Sequence, residues 1–132
     1  HLAADIGAAL GMIHHPRFTL SLDRIGQFDR RGKTESLWVG VTPQAPVEGL
    51  KRKVDQALLR VGIAPEQRAY LPHITLARFN RRPGDLADFA ARSGQLAAPP
   101  FAVDHFLLYE SHLAQEGAAY VPLARFALDP AR

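Results

Sequence analysis

The sequence predicts an α+β domain in which antiparallel strands are backed by amphipathic helices, and three observations carry that expectation. Apolar residues recur at helical spacing in two places, Leu2-Ile6-Ala9-Leu10-Ile13 and Val47-Leu50-Val54-Leu58-Val61. Other stretches alternate apolar and polar residues with period two, the pattern of a strand with one buried face. The elements also repeat. A helix, Pro16-Arg17-Phe18, a strand, a polar turn and a strand with Trp38 are followed by a helix, Pro100-Phe101, a strand, a polar turn and a strand with Tyr120. Phe18 and Phe101 stand 83 residues apart, and Trp38 and Tyr120 stand 82 apart, so the two runs are spaced alike. Residues 1–132 are read as one domain with pseudo-repeat halves at about 1–45 and 70–132.

Taken in order, the first thirteen residues form a helix that ends between Gly11 and His14, ahead of the breaker Pro16. Phe18 to Phe28 alternates as a strand, Asp29 to Thr34 is a polar turn, and Leu37-Trp38-Val39-Gly40-Val41 returns as the second strand of a hairpin. Pro43 and Pro46 open the next helix, Gly62 stands at its C-terminal cap, and Lys51, Arg52 and Lys53 cover its outer side. Ala64-Pro65-Glu66 links it to a short strand around His73. Arg82-Pro83-Gly84 then breaks the chain, and Asp85 caps a helix with Leu86, Phe89 and Ala90 that ends at Gly94. Two long strands, Phe101 to Ser111 and Ala118 to Leu128, close the chain around a turn at Gln115-Glu116-Gly117.

The totals narrow the function classes. A chain of 132 residues can bury one core without disulfide or metal staples. Its 47% hydrophobic and 22% charged residues are ordinary for a soluble globular protein. The absence of cysteine excludes thiolate nucleophiles, disulfides and cysteine-based zinc sites. A cytoplasmic location is the expectation that fits this lack of cysteine, while no run is long and apolar enough to span a bilayer and the start lacks the basic and apolar blocks of a secretory leader. The chain opens on His1, without Met and directly on a helix, which leads us to expect a mature, cleaved or truncated product. The charge of +3 comes with three basic clusters, Arg30-Arg31-Lys33, Lys51-Arg52-Lys53 and Arg78-Arg81-Arg82, of which only the third adjoins the His73 strand.

The informative stretch is Tyr70 to Arg82, Tyr-Leu-Pro-His-Ile-Thr-Leu-Ala-Arg-Phe-Asn-Arg-Arg. Alternation from Pro72 onward puts His73 and Thr75 on one face of a strand and Ile74 and Leu76 on the other. An imidazole that exchanges a proton near neutral pH, beside a hydroxyl that donates to a phosphate oxygen, suits phosphoryl chemistry. The remaining histidines have plainer readings. His14 and His15 follow a helix and are expected to cap it, His105 is a part-buried, hydrogen-bonded strand residue, and His112 falls in a turn. Trp38 and Tyr120 read as core, and Tyr109 and Ser111 as packing residues. The repeat adds one expectation. The counterpart of His73, 83 residues earlier, falls at position −10, and no second His-x-Thr or His-x-Ser occurs in the chain.

Leu71-Pro-His-Ile-Thr-Leu-Ala-Arg78 resembles the second His-x-Thr-x motif of the two-histidine phosphoesterases, specifically the bacterial RNA 2′,3′-cyclic phosphodiesterases, or LigT-like 2′-5′ RNA ligases. Leu37-Trp-Val-Gly-Val41, Phe106-Leu-Leu-Tyr-Glu-Ser111 and Gly117-Ala-Ala-Tyr120 agree with the family's order and spacing, so the resemblance covers nearly the whole chain. It implies a bilobal, pseudo-symmetric fold with two antiparallel sheets facing a central cleft, helices outside, and one His-x-Thr-x strand from each lobe. The first of those strands is the one this sequence lacks. The implied chemistry is hydrolysis of RNA 2′,3′-cyclic phosphate ends to 2′-phosphates, with 2′-5′ ligation as a possible side activity. It needs no metal or cofactor, and the protein is expected to act as a monomer. Within the resemblance His73 is the proton acceptor that activates water and Thr75 holds the phosphate. Arg78 counters the phosphate's charge, although strict alternation puts it on the opposite face, so that role requires a bulge, a strand end or a bent-back side chain. Two imidazoles near pKa ~6.5 would give the complete enzyme a bell-shaped pH profile. Two alternatives stand beside this reading: a non-catalytic module that grips RNA ends, and a phosphodiesterase for another cyclic phosphate or a 2′-5′ oligonucleotide.

Overall fold

The computed structural model describes residues 1–79, 98–114 and 117–130. The expected α+β class is what it shows, with two helices and antiparallel sheets among the described residues. The expected helix after Asp85, together with Arg81 and Arg82, lies outside the described residues. The chain divides into two compact units that interleave in sequence. One comprises His1–Phe18, Gly49–Arg68 and Ala102–Arg132, and the other Thr19–Glu48 and Ala69–Phe101.

In the first unit, helix α1 spans Leu2–Gly11 and buries Leu10. Met12 closes it by donating its backbone N–H to the Ala9 carbonyl, and no basic residue lies in the last turn. His14 and His15 therefore do not cap the helix as expected, because it ends two residues earlier. His15 is instead buried, edge-on to the Phe18 ring with centroids 5.8 Å apart, while His14 is exposed and 3.5 Å from the Asp129 carboxylate. Helix α2 spans Ala45–Arg60 and buries Ala57. Gly62 follows it at φ +88°, a left-handed cap open to glycine, and its N–H reaches the Leu59 carbonyl. Of the three basic residues placed on the outer side of α2, only Arg52 is fully exposed. Lys51 is half-buried in a 2.6 Å ion pair with Asp55, and Lys53 donates to the His14 carbonyl.

The expected strand from Phe101 to Ser111 is two strands. Strand β4 covers Phe101–Val103, the chain breaks at Asp104, and β5 runs from His105 to Ala114 against β6, Gly117–Ala127. His112 is consequently in a strand and not in a turn, with Nε2 2.6 Å from a Glu110 carboxylate oxygen. Phe106 and Phe126 stack across the hairpin at 5.0 Å, and a Cβ at Gly11 would come within 4.0 Å of the Phe126 ring, so the N-terminal helix packs on this pair. At the sheet change, His105 donates from Nδ1 to the Asp104 carboxylate at 2.6 Å. That hydrogen bond is the chief reason the Asp104 carboxyl is held below its ordinary value; desolvation opposes it, and the charges of His105, Arg125 and Arg17 add to the lowering.

The second unit is built on β1, Phe18–Arg30, and β2, Lys33–Thr42, joined by a turn of only two residues. Arg31 and Gly32 both have positive φ, +54° and +76°, the geometry whose twist matches a tight hairpin. The polar run from Asp29 to Thr34 is thus mostly strand, since a two-residue turn lets pairing continue to Arg30 and Lys33. Strand β3, His73–Arg78, adds to the other edge of β2, and the sheet order is β3-β2-β1-β4. One face is the core: Leu20, Leu37, Val39 and Val41 are all buried, at alternate positions along each strand.

Candidate active site

The opposite face of this sheet carries the residues singled out in the sequence. Paired residues of an antiparallel ladder share a face, and Gly40 pairs His73 while Trp38 pairs Thr75. His73 and Thr75 therefore lie on the Trp38 face, away from buried Val39 and Val41, and both are exposed. Pro72, just before them, is buried and fixes the entry into the strand.

The register then shifts. Leu37 pairs Ala77 and Trp38 pairs Thr75, so Leu76 is an extra residue on β3 and the strand is bulged there. Beyond the bulge the alternation is inverted. Ala77 shares the face of buried Leu37, and Arg78, opposite Ser36, joins the face of Trp38, Thr75 and His73. One inserted residue thus brings the guanidinium to the side of the imidazole and hydroxyl, where strict alternation would have sent it away.

The imidazole is held in a defined way. His73 Nδ1 lies 2.6 Å from the Leu71 carbonyl oxygen. A carbonyl only accepts, so Nδ1 carries the hydrogen, and in the neutral ring Nε2 is left with a lone pair for another proton. The ring is also packed: Phe28 meets it edge-on at 5.2 Å and Trp38 at 6.0 Å, while Phe28 and Trp38 lie 5.4 Å apart. Gly26 makes this arrangement possible, because a Cβ there would overlap the indole ring. The Trp38 Nε1–H is buried without a hydrogen-bond partner among the described residues. Phe28 was not among the candidate residues. An aromatic at a hairpin end reads as core, and only the register Phe28 with Ser36 and Gly26 with Trp38 puts it on the His73 face.

His73, Thr75 and Arg78 thus sit on one face of a single strand, with His105, His112 and His14 each occupied by a neighbouring carboxylate elsewhere in the other unit. Among the described residues no group of three or more His, Asp or Glu is placed to hold a metal ion. No helix among them is long and apolar enough to cross a membrane. A face that presents one proton acceptor, one hydroxyl donor and one cation is equipped to bind a phosphate ester and remove a proton beside it.

Known proteins point to the same class. The family described as the 2'-5' RNA ligase superfamily matches residues 1–115. The chain belongs to the 2'-5' RNA ligase superfamily. It is 30% identical to the RNA 2',3'-cyclic phosphodiesterase of Aeropyrum pernix over 92% of this chain and 71% of that protein. It is 32% identical to the Escherichia coli protein of the same name, over 89% of this chain and 62% of that one. A third relative so named, from Geobacillus stearothermophilus, is 32% identical over 84% of this chain, which spans only 35% of its length. The fold is similar to that of E. coli LigT complexed with 3'-AMP, with a TM-score of 0.71 and 28% identity, over 96% of this chain and 68% of that one. A structure described as a phosphoesterase gives 0.69 and 30% over the same shares.

Proposed function

We propose that this chain is the part of an RNA 2′,3′-cyclic phosphodiesterase that carries its proton-accepting strand, and that it opens cyclic phosphate ends to 2′-phosphates. The observation that carries the reading is the donation of His73 Nδ1–H to the Leu71 carbonyl, which leaves Nε2 as the acceptor on the face shared with Thr75 and Arg78. Water attacks phosphorus as its proton passes to His73 Nε2. The bond from phosphorus to the 3′-oxygen breaks, and that oxygen takes a proton from an acid on the far side. The family resemblance assigns this acid to the histidine of a second His-x-Thr strand. Thr75 donates its hydroxyl to a phosphate oxygen, and Arg78 offsets the charge that gathers on the equatorial oxygens. The relatives that share this chain's sequence bear the name of that activity, and a fold relative is complexed with 3'-AMP.

The test is product analysis. RNA ending in a 2′,3′-cyclic phosphate is incubated with the protein including a second His-x-Thr strand, and 2′-phosphate ends are expected. Salt-sensitive RNA binding with no product would replace this reading with that of an end-binding module. Turnover confined to another cyclic phosphate or to 2′-5′ linkages would move the substrate assignment.

A further inference from the structure

Phe28 plays no part in the proton transfers, yet it shares the face of His73 and Thr75 and keeps 38% of its surface exposed. Its ring is supported from behind, tilted on Trp38 at 5.4 Å and edge-on to the imidazole at 5.2 Å. Trp38, half-buried over Gly26, is the floor of this cluster, and Phe28 is its open side. A large apolar ring thus lies beside the His73 strand, packed on Trp38 and the imidazole and partly open to solvent.

We propose that Phe28 is the base-stacking residue of this site, resting on the cyclic phosphate reading above. The nucleobase is joined to the same ribose that carries the cyclic phosphate. A phosphorus held at His73 and Thr75 on β3 therefore puts the base within reach of a ring packed against that imidazole from β1. A phenyl ring offers a π-face and no hydrogen-bonding group, so it accepts every base and favours the larger stacking area of a purine. Phe28 thus distinguishes a nucleotide from a bare cyclic phosphate without reading the RNA sequence.

The chain's one tryptophan, Trp38, lies in the cluster and reports binding without turnover. Its fluorescence is titrated with adenosine 2′,3′-cyclic phosphate and with the base-free methyl riboside 2′,3′-cyclic phosphate. Phe28→Ala is expected to weaken the adenosine ligand about five- to a hundredfold and to leave the base-free ligand unchanged. Phe28→Leu, which keeps apolar packing on Trp38 and His73, should show the same selective loss, and Phe28→Tyr, which keeps the aromatic ring, should retain the wild-type affinity. Equal weakening of both ligands would make Phe28 a support for His73 and overturn the proposal, as would unchanged binding of both. Binding that depends on Phe28 with no 2′-phosphate from the protein carrying both His-x-Thr strands would uphold the proposal and remove the phosphodiesterase reading. Failure of the wild type to bind either ligand would overturn both.

Discussion

At the scale of single residues, one strand presents His73, Thr75 and Arg78 together, and the imidazole, the guanidinium and the aromatic support behind them make separable predictions. His73 is exposed, so His73→Ala should change stability by no more than about 1 kcal/mol, mostly from lost contact with Phe28 and Trp38. Turnover should fall about 10²- to 10⁴-fold, the usual range for a positioned acid or base, as measured by single-turnover hydrolysis. Arg78→Ala should raise KM about ten- to a hundredfold, which corresponds to the ~1.5–3 kcal/mol of a hydrogen bond to a charged group. Gly26→Ala tests the aromatic support. The new methyl group overlaps the indole, so the variant should lose about 1–3 kcal/mol in a urea titration and shift the Trp38 emission. His73 and Thr75 were legible in the sequence because they lie before the bulge, where period two holds. The face of Arg78 was not, because alternation cannot show that Leu76 is left without a partner.

At the scale of elements, both helices, the first hairpin and the motif strand were legible from periodicity and punctuation, down to Gly62 as the cap of α2. The break at Asp104 was hidden, since Phe101, Val103, His105 and Leu107 alternate straight through it. What marks it is electrostatic. The Asp104 carboxyl, held below its ordinary value chiefly by the hydrogen bond from His105, stabilises the fold most fully above the unfolded value of about 4. That contribution is lost as pH falls through the lower folded value. Asp104→Asn should therefore flatten the acid limb of a stability profile below about pH 4 and lower stability at neutral pH. A variant with an unchanged acid limb would show that the interaction has no weight in solution. The turn was misjudged for a different reason. Polar composition marks a turn's neighbourhood, while its length is set by whether two adjacent residues, here Arg31 and Gly32, adopt positive φ.

At the scale of the whole molecule, each of the two hairpins carries an aromatic pair. Phe28 and Trp38 form an aromatic pair at 5.4 Å in one hairpin, and Tyr109 and Tyr120 form one at 6.1 Å in the other. Tyr120 is 60% exposed and so is not the core residue expected from the sequence, while Tyr109, about half exposed, packs on its ring. In the first hairpin the strand carrying Trp38 is flanked by the His73 strand. In the second, β6, which carries Tyr120, pairs with β5 in a sheet of two strands among the described residues.

The central claim is that His73 takes the proton from water at a 2′,3′-cyclic phosphate. The most direct measurement compares end products from RNA bearing that terminus, using the protein with both His-x-Thr strands and its His73→Ala variant. The expected result is 2′-phosphate ends from the first and formation slowed about 10²- to 10⁴-fold in the second, with both proteins equally folded. Product formation at an undiminished rate after the loss of His73, or 3′-phosphate in place of 2′-phosphate, would contradict it.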